Sequence, residues 1–201
     1  SNLSTSLVGV LYNVQLMAIA KENGVNAYGV LMYVSFIFMA FFFGYSIAVT
    51  PVVGYHYGAQ NHGELKNLLG KSVLLMGITG VALTALAMAL ADPLARLFVG
   101  YDAELFALTS HAFRVYALNF FLMGFNVYGS SFFTALGDGV TSALISFLRT
   151  LLFQLLALIF LPMVLGIEGV WLAVTAAEAG ALCVTVRMFI TKDKVFHYRK
   201  A

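Results

Sequence analysis

The sequence predicts an all-α membrane protein, a bundle of six spanning helices. Three observations predict it. Of 201 residues, 61% are hydrophobic and 10% charged, against about 45–50% and about 25% in soluble domains. Mean hydropathy is +0.92. The apolar residues also come in runs close to the roughly 20 needed to cross a hydrocarbon core about 30 Å thick. So little charge cannot clothe a water-facing surface, which excludes an ordinary cytosolic enzyme or a disordered tail. A net charge of +2 supplies no basic field for nucleic acid. The lone Cys183 cannot form an internal disulfide.

Stretches free of Asp, Glu, Lys and Arg place the helices at 3–20, 26–50, 72–91, 112–135, 140–164 and 169–190. The first closes at Asn23-Gly24. The second ends at Pro51 and the Gly54, Gly58, Gly63 cluster. Leu65, Leu68 and Leu69 with Lys66 and Lys71 read either as an amphipathic turn in the interface or as a solvated loop. Ala91-Asp92-Pro93 ends the third helix, and Gly137-Asp138-Gly139 parts the fourth from the fifth. Leu161-Pro162 and Gly166 close the fifth. A transmembrane barrel would show short alternating strands, whereas Phe36-Ile37-Phe38-Met39-Ala40-Phe41-Phe42-Phe43 is apolar on all sides.

Lys and Arg favour the cytoplasmic side. Lys66, Lys71, Arg187, Lys192, Lys194, Arg199 and Lys200 lie on one side; Lys21, Arg96 and Arg114 lie on the other. Both termini are therefore expected in the cytoplasm, with a basic tail over 191–201 after a six-helix unit over 1–190. Trp171, Tyr28 and Tyr101 are expected at the outer interface, and Tyr55 and Tyr57 at the inner one. The chain opens Ser1-Asn2 without Met and the first helix begins almost at once, which reads as a fragment or a tag-cleaved start rather than a natural one.

Two charges fall inside the spans, Arg149 and Glu178. A charge at mid-membrane costs about 2.5–3.5 kcal/mol on insertion scales, so each marks a candidate site. Each lies about nine residues into its helix, or roughly 14 Å at 1.5 Å per residue. They are expected to pair or to share a polar seam. Either the pair fixes helix packing or Arg149 snorkels toward the interface, or Glu178 exchanges a proton or cation. Ser142, Ser146 and Arg149 share one face, as do Thr175, Glu178 and Thr185.

The fourth helix carries Tyr116, Asn119, Met123, Asn126 and Ser130 along one face. The second carries Met32, Ser35, Met39, Phe42 and Ser46, and the first Ser6, Asn13 and Met17. Such faces suit either interhelical hydrogen bonding or a cavity for varied ligands, where Met adapts its shape and amides bond in both senses. The substrate-facing candidates are Asn13, Met39, Tyr116, Asn119, Met123, Asn126 and Ser130. His56 and His62 lack a third ligand for a metal. No HExxH, GxSxG, P-loop or CxxC pattern occurs, so no enzyme chemistry is expected.

Pro51-Val52-Val53-Gly54-Tyr55-His56-Tyr57-Gly58-Ala59 resembles the Pro-x-x-Gly-Tyr-x-x-Gly-Ala signature of MATE (multidrug and toxic compound extrusion) transporters. Gly29–Ser35, Ala135–Gly139, Ser146–Arg149 and Leu161-Pro162 through Trp171 fit too. The chain is most similar to the C-terminal lobe of the MepA-type bacterial branch. The resemblance implies a lobe of an inner-membrane antiporter that exchanges H⁺ or Na⁺ for cationic or amphipathic drugs, with no other cofactor. It implies an N-terminal lobe, or a second copy, as partner. It also leaves open an isolated lobe that does not transport, or a lipid-linked sugar flippase of the same superfamily. In that signature Pro51, Gly54, Tyr55, Gly58 and Ala59 shape the cytoplasmic end of the second helix. Sodium-coupled members carry acids in the first and fourth helices of this lobe. Here those helices have Asn13, Gln15, Asn119 and Asn126 instead, which leaves Glu178 as the embedded acid.

Overall fold

The computed structural model describes residues 2–198, with side chains from residue 4. The Leu3 side chain of the expected first span, and Arg199 and Lys200 of the basic tail, lie outside the described residues. Everything described is helix or short turn. The elements are α1 (Asn2–Gly58), α2 (His62–Val99), α3 (Ala103–Tyr116), α4 (Asn119–Ala135), α5 (Gly139–Phe147), a π-helical turn (Leu148–Leu152), α6 (Phe153–Leu165) and α7 (Ile167–Phe196).

The helix α1 is two helices joined at a reversal. Lys21 takes φ 54 and ψ −145, a conformation that a residue with a Cβ adopts rarely. In a straight helix Tyr12 and Tyr28 would stand about 24 Å apart. Their rings instead stack with centroids 4.5 Å apart. The limbs 2–20 and 22–58 therefore lie side by side and antiparallel. The turn falls at Lys21, two residues before the expected Asn23-Gly24, which both sit inside the second limb. Counting α3 with α4, which meet at a 45° bend, and α5 with the π turn and α6, the described residues form six limbs.

The limb ends differ from expectation at the prolines. Pro51, Pro93 and Pro162 all lie inside helices rather than at their ends. A proline removes one backbone donor, but in lipid no water competes for the carbonyls, and neighbouring hydroxyls help to satisfy them. Pro51 frees the Ile47 carbonyl, and next to it the Thr50 hydroxyl donates to the Ser46 carbonyl at 2.7 Å. The second limb thus runs through the whole motif to Gly58. Beyond it, α2 begins at His62, where the Asn61 side chain accepts from the Glu64 N–H at 3.1 Å. Lys66, Leu68 and Leu69 form the first turns of that helix, and Leu65 is fully buried. They are no separate interfacial turn. Gly166, at φ 58, breaks α6 from α7. Just beyond it Gly169 lies so close to the Leu161 and Pro162 backbone that a Cβ would come within 2.4 Å of Leu161.

The helix α4 is central and packs against α1, α2, α5 and α7. Phe42, Met76, Phe120, Phe132 and Phe133 fill the space around it. Trp171 and Tyr28 were expected in an interfacial belt, but both are buried in the bundle. A large aromatic ring gains more from interhelical packing than from a headgroup contact where a neighbour is within reach. Tyr101 and Tyr55 are exposed. The outside of the bundle is apolar, with Phe36, Ile37, Phe41, Ile47, Leu74, Ile78, Phe160 and Val164 all exposed. Water does not tolerate so wide an apolar surface; lipid does.

One ion pair lies at the α4–α5 turn. Asp138 caps α5 by accepting from the Thr141 N–H at 3.0 Å and from its hydroxyl at 2.8 Å. It also pairs with Lys192 of α7 at 2.7 Å. Burial pushes the Asp138 carboxyl up, yet Lys192 and the Thr141 hydrogen bonds together hold it below its ordinary 3.8. A carboxyl lowered in the folded state stabilises above its unfolded value, and that stability fades as pH falls through the folded value. Asp138→Ala is therefore expected to cost about 1–2 kcal/mol at neutral pH, as lost N-caps do. The difference from the parent should shrink as unfolding in detergent is repeated below pH 3.8.

Candidate functional site: a buried polar seam

The site is built around Glu178, midway along α7 and 3% exposed. A bare carboxylate at that place would be costly, and two neighbouring elements supply what it needs. Arg149, on the π turn, donates from Nη1 to Glu178 Oε1 at 3.2 Å. Asn126 of α4 donates from Nδ2 to Glu178 Oε2 at 2.7 Å and to the Glu178 carbonyl at 2.9 Å. The Asn126 Oδ1 accepts from the Thr185 hydroxyl at 2.8 Å. The arginine and glutamate side chains are 12% and 4% exposed. Thr185 reaches Asn126 because residue 129 is glycine, where a Cβ would stand 2.5 Å from the threonine methyl.

The structure brings part of the candidate set together and separates the rest. Both amide hydrogens of Asn126 are engaged by Glu178, so the side chain has no donor left for a ligand. Ser130, half-buried one turn further on, bonds to Ser142 and Ser146 on α5 at 2.9 and 2.8 Å. Tyr116, Asn119 and Met123 are buried inside the lobe. Asn119 donates to the Tyr116 carbonyl, and its Oδ1 is buried with no protein partner among the described residues. Met39 is half-buried. Asn13 alone of the set is exposed. With Val10, Val14, Met17 and Ala18 it lines a shallow groove of about 480 Å³ along the first limb of α1. In the signature segment Pro51, Tyr55 and Gly58 are exposed, Gly54 is half-buried, and Ala59 lies just past the helix end.

Three residues near the site, Tyr12, Tyr28 and Thr134, were not read from sequence as part of it. Tyr12 and Tyr28, stacked across the reversal, lie beside Tyr116, whose phenol is within electrostatic reach of Glu178. Their signal is invisible in a linear sequence, since the two limbs meet only once the chain has turned at Lys21. Thr134 extends the Asn126, Ser130 spacing by one further step of four, a signal that was present on the α4 face.

The MatE family model matches residues 1–159, most of the chain. Among solved structures, one described as the outward-facing conformation of a multidrug resistance MATE family transporter of the MOP superfamily is 25% identical. It aligns with a TM-score of 0.86 over 96% of this chain and 44% of its own. A MATE crystal structure in complex with MaL6 is 26% identical, with a TM-score of 0.85 over the same shares. An inward-facing MATE family transporter, 24% identical, shares the fold with a TM-score of 0.90 over 99% of this chain and 46% of its own. No curated protein matches at a significant level. The chain thus spans less than half the length of the transporters it matches, and it belongs to the MatE family of membrane transporters.

Proposed function

We propose that the chain forms one lobe of a secondary active multidrug antiporter, exporting organic cations or amphipathic drugs in exchange for H⁺ or Na⁺. The match to a multidrug resistance transporter over 96% of the chain carries this reading. The same lobe fits structures described as outward-facing and inward-facing, as a lobe that rocks as a rigid body would. The Asn13 groove supports a role as one wall of the substrate path. An amide standing alone on an apolar, exposed helix face is poorly placed against lipid and well placed against a partner lobe or a drug.

In this reading Glu178 is the exchanging carboxyl and the ion is H⁺. Its oxygens are held by Arg149 and Asn126, so a metal cation would have to displace a guanidinium, whereas a proton needs only one oxygen. The lobe works with an N-terminal lobe or a second copy, in a bacterial inner membrane with both termini in the cytoplasm. It performs no enzymatic chemistry. A lipid-linked sugar flippase fits less well, because Arg149, the deep cation, is already paired and leaves no free charge for a pyrophosphate. The test is dye efflux from vesicles under an imposed pH gradient, with the chain alone and with an N-terminal lobe supplied. Glu178→Gln is expected to reduce gradient-driven efflux by roughly 100-fold, the scale of a lost proton-transfer group. Undiminished efflux in that variant would end the coupling role of Glu178, and no transport in either arrangement would end the transporter reading.

A further inference from the structure

A row of hydroxyls that the transport reading does not use runs along the contact between α4 and α5. Thr134 Oγ1 lies 2.7 Å from Ser142 Oγ. Ser142 Oγ lies 2.9 Å from Ser130 Oγ, and Ser130 Oγ lies 2.8 Å from Ser146 Oγ. The four make one unbroken hydrogen-bonded line. Its outer end, Thr134, is exposed beside the Gly137–Gly139 turn, while Ser142 is buried and Ser130 and Ser146 are half-buried.

The inner end points at the ion pair. Ser146 precedes Arg149 by three residues, and Ser130 follows Asn126 by four. In a regular helix such steps set Cβ atoms about 5–6 Å apart, close enough for a water to bridge the polar tips. Beyond the gap stands Glu178, held by both Arg149 and Asn126. The π-helical turn Leu148–Leu152 starts just past Ser146, and such turns concentrate at functional sites.

The pattern is not what packing alone requires. A hydroxyl in a membrane helix commonly bonds back to the carbonyl four residues earlier, as Thr50, Thr150 and Thr191 do here. Thr134 does so too, to the Ser130 carbonyl at 3.0 Å, and the Ser130 hydroxyl also reaches the Ser142 carbonyl at 3.2 Å; beyond those bonds, Ser130, Ser142 and Ser146 bond to one another. Each hydroxyl can donate and accept at once, which proton hopping needs. A sodium site needs several oxygens converging on one point, whereas these oxygens form a line.

We infer that the row Thr134, Ser142, Ser130, Ser146 is the path by which protons reach and leave Glu178 from the α4–α5 end of the lobe. This rests on the coupling role of Glu178. A proton from water joins Thr134, whose hydroxyl turns from the Ser130 carbonyl toward Ser142; each hydroxyl passes its own proton inward and takes one from behind, and a water bridging the remaining gap gives up a proton to the Glu178 carboxylate as it takes one from Ser146. Only O–H bonds break and form, and rotation of the hydroxyls resets the row. A neutral Glu178 then holds Arg149 only weakly, which couples the proton to the π turn. The groups facing Glu178 are Arg149 from the π turn, Tyr116 from α3 and Asn126 from α4. Tyr12 and Tyr28 of α1 lie beyond Tyr116, and α6 contributes no titratable side chain. Asp138 and Lys192, paired at 2.7 Å, flank the outer mouth.

The test reads Glu178 directly. The full chain in lipid nanodiscs is followed by infrared spectroscopy through the protonated-carboxyl C=O band, with Glu178→Gln as the assignment control, after rapid pH jumps. In the parent the band should rise quickly as pH falls. In Ser130→Ala/Ser146→Ala the same amplitude should develop roughly ten-fold more slowly or worse, and Ser130→Thr/Ser146→Thr should restore the rate. If the double alanine variant loses helicity, Ser146→Ala alone is read in its place, with the same direction expected. An unchanged rate with a Glu178 band present overturns the path and leaves the coupling role standing. A missing Glu178 band across the range from about pH 4 to 9 overturns the coupling role and the path with it.

Discussion

Arg149→Met is expected to destabilise the lobe by about 3–5 kcal/mol, the range for removing one partner of a buried ion pair. The loss arises less from the missing bond than from what it leaves behind. Glu178 is 4% exposed on its side chain, and Asn126 alone cannot neutralise it. The double variant Arg149→Met/Glu178→Gln removes both charges and keeps an acceptor for the Asn126 amide. It is expected to recover stability to within about 1 kcal/mol of the parent or to exceed it, as apolar replacements of buried pairs do. Trp171 is the single tryptophan and is fully buried, so its fluorescence during unfolding in detergent reports both variants. A single variant as stable as the parent would show that the pair carries no structural role.

Gly169→Ala is expected to cost about 2–3 kcal/mol net, at the upper end for overpacked sites. A Cβ there would stand 2.4 Å from the Leu161 carbonyl carbon and oxygen and 2.6 Å from the Pro162 nitrogen. These are backbone atoms, so no rotamer change relieves the clash. The hairpin of α6 and α7 must open. That opening also moves Glu178 on α7 relative to Arg149 on the π turn, so loss of stability and loss of the ion pair should appear together. Gly180→Ala is the control on the same helix. Its nearest neighbour would be a Phe153 ring carbon at 3.4 Å, an ordinary contact, and the better helix propensity of Ala is worth up to about 1 kcal/mol. The comparison is made by thermal unfolding of both variants beside the parent. Equal midpoints for the two would refute the close-packing argument.

The helical membrane architecture was legible because lipid admits only helices and closed barrels, and long apolar runs without alternation report the helix. The pairing of Arg149 and Glu178 was legible too, since rise per residue sets the two charges at matching positions along neighbouring antiparallel helices. The helix ends were less so. Pro51 and Pro93 are stop signals in water, where a freed carbonyl is quickly solvated; inside a bilayer the helix runs on. Side-chain direction was the hardest part. The face bearing Asn126 and Ser130 was visible as a polar stripe, but its partners lie on α5 and α7. Asn126 meets Glu178 across 52 residues of sequence. Trp171 went the same way: its type suits an interface, and only the packed neighbours of α7 decide that it turns inward.

The reversal at Lys21 also sets topological parity. Straightened, the 57 residues of α1 would make a rod about 85 Å long, nearly three times the roughly 30 Å hydrocarbon core. Taking out that one U-turn would remove one crossing, and every later limb would then enter the bilayer from the opposite side. Arg149 and Glu178 would still meet, but the hydroxyl row would open onto the other compartment. One backbone angle pair therefore decides which aqueous phase the buried carboxyl can sample, although it lies more than 100 residues upstream of that carboxyl in the chain.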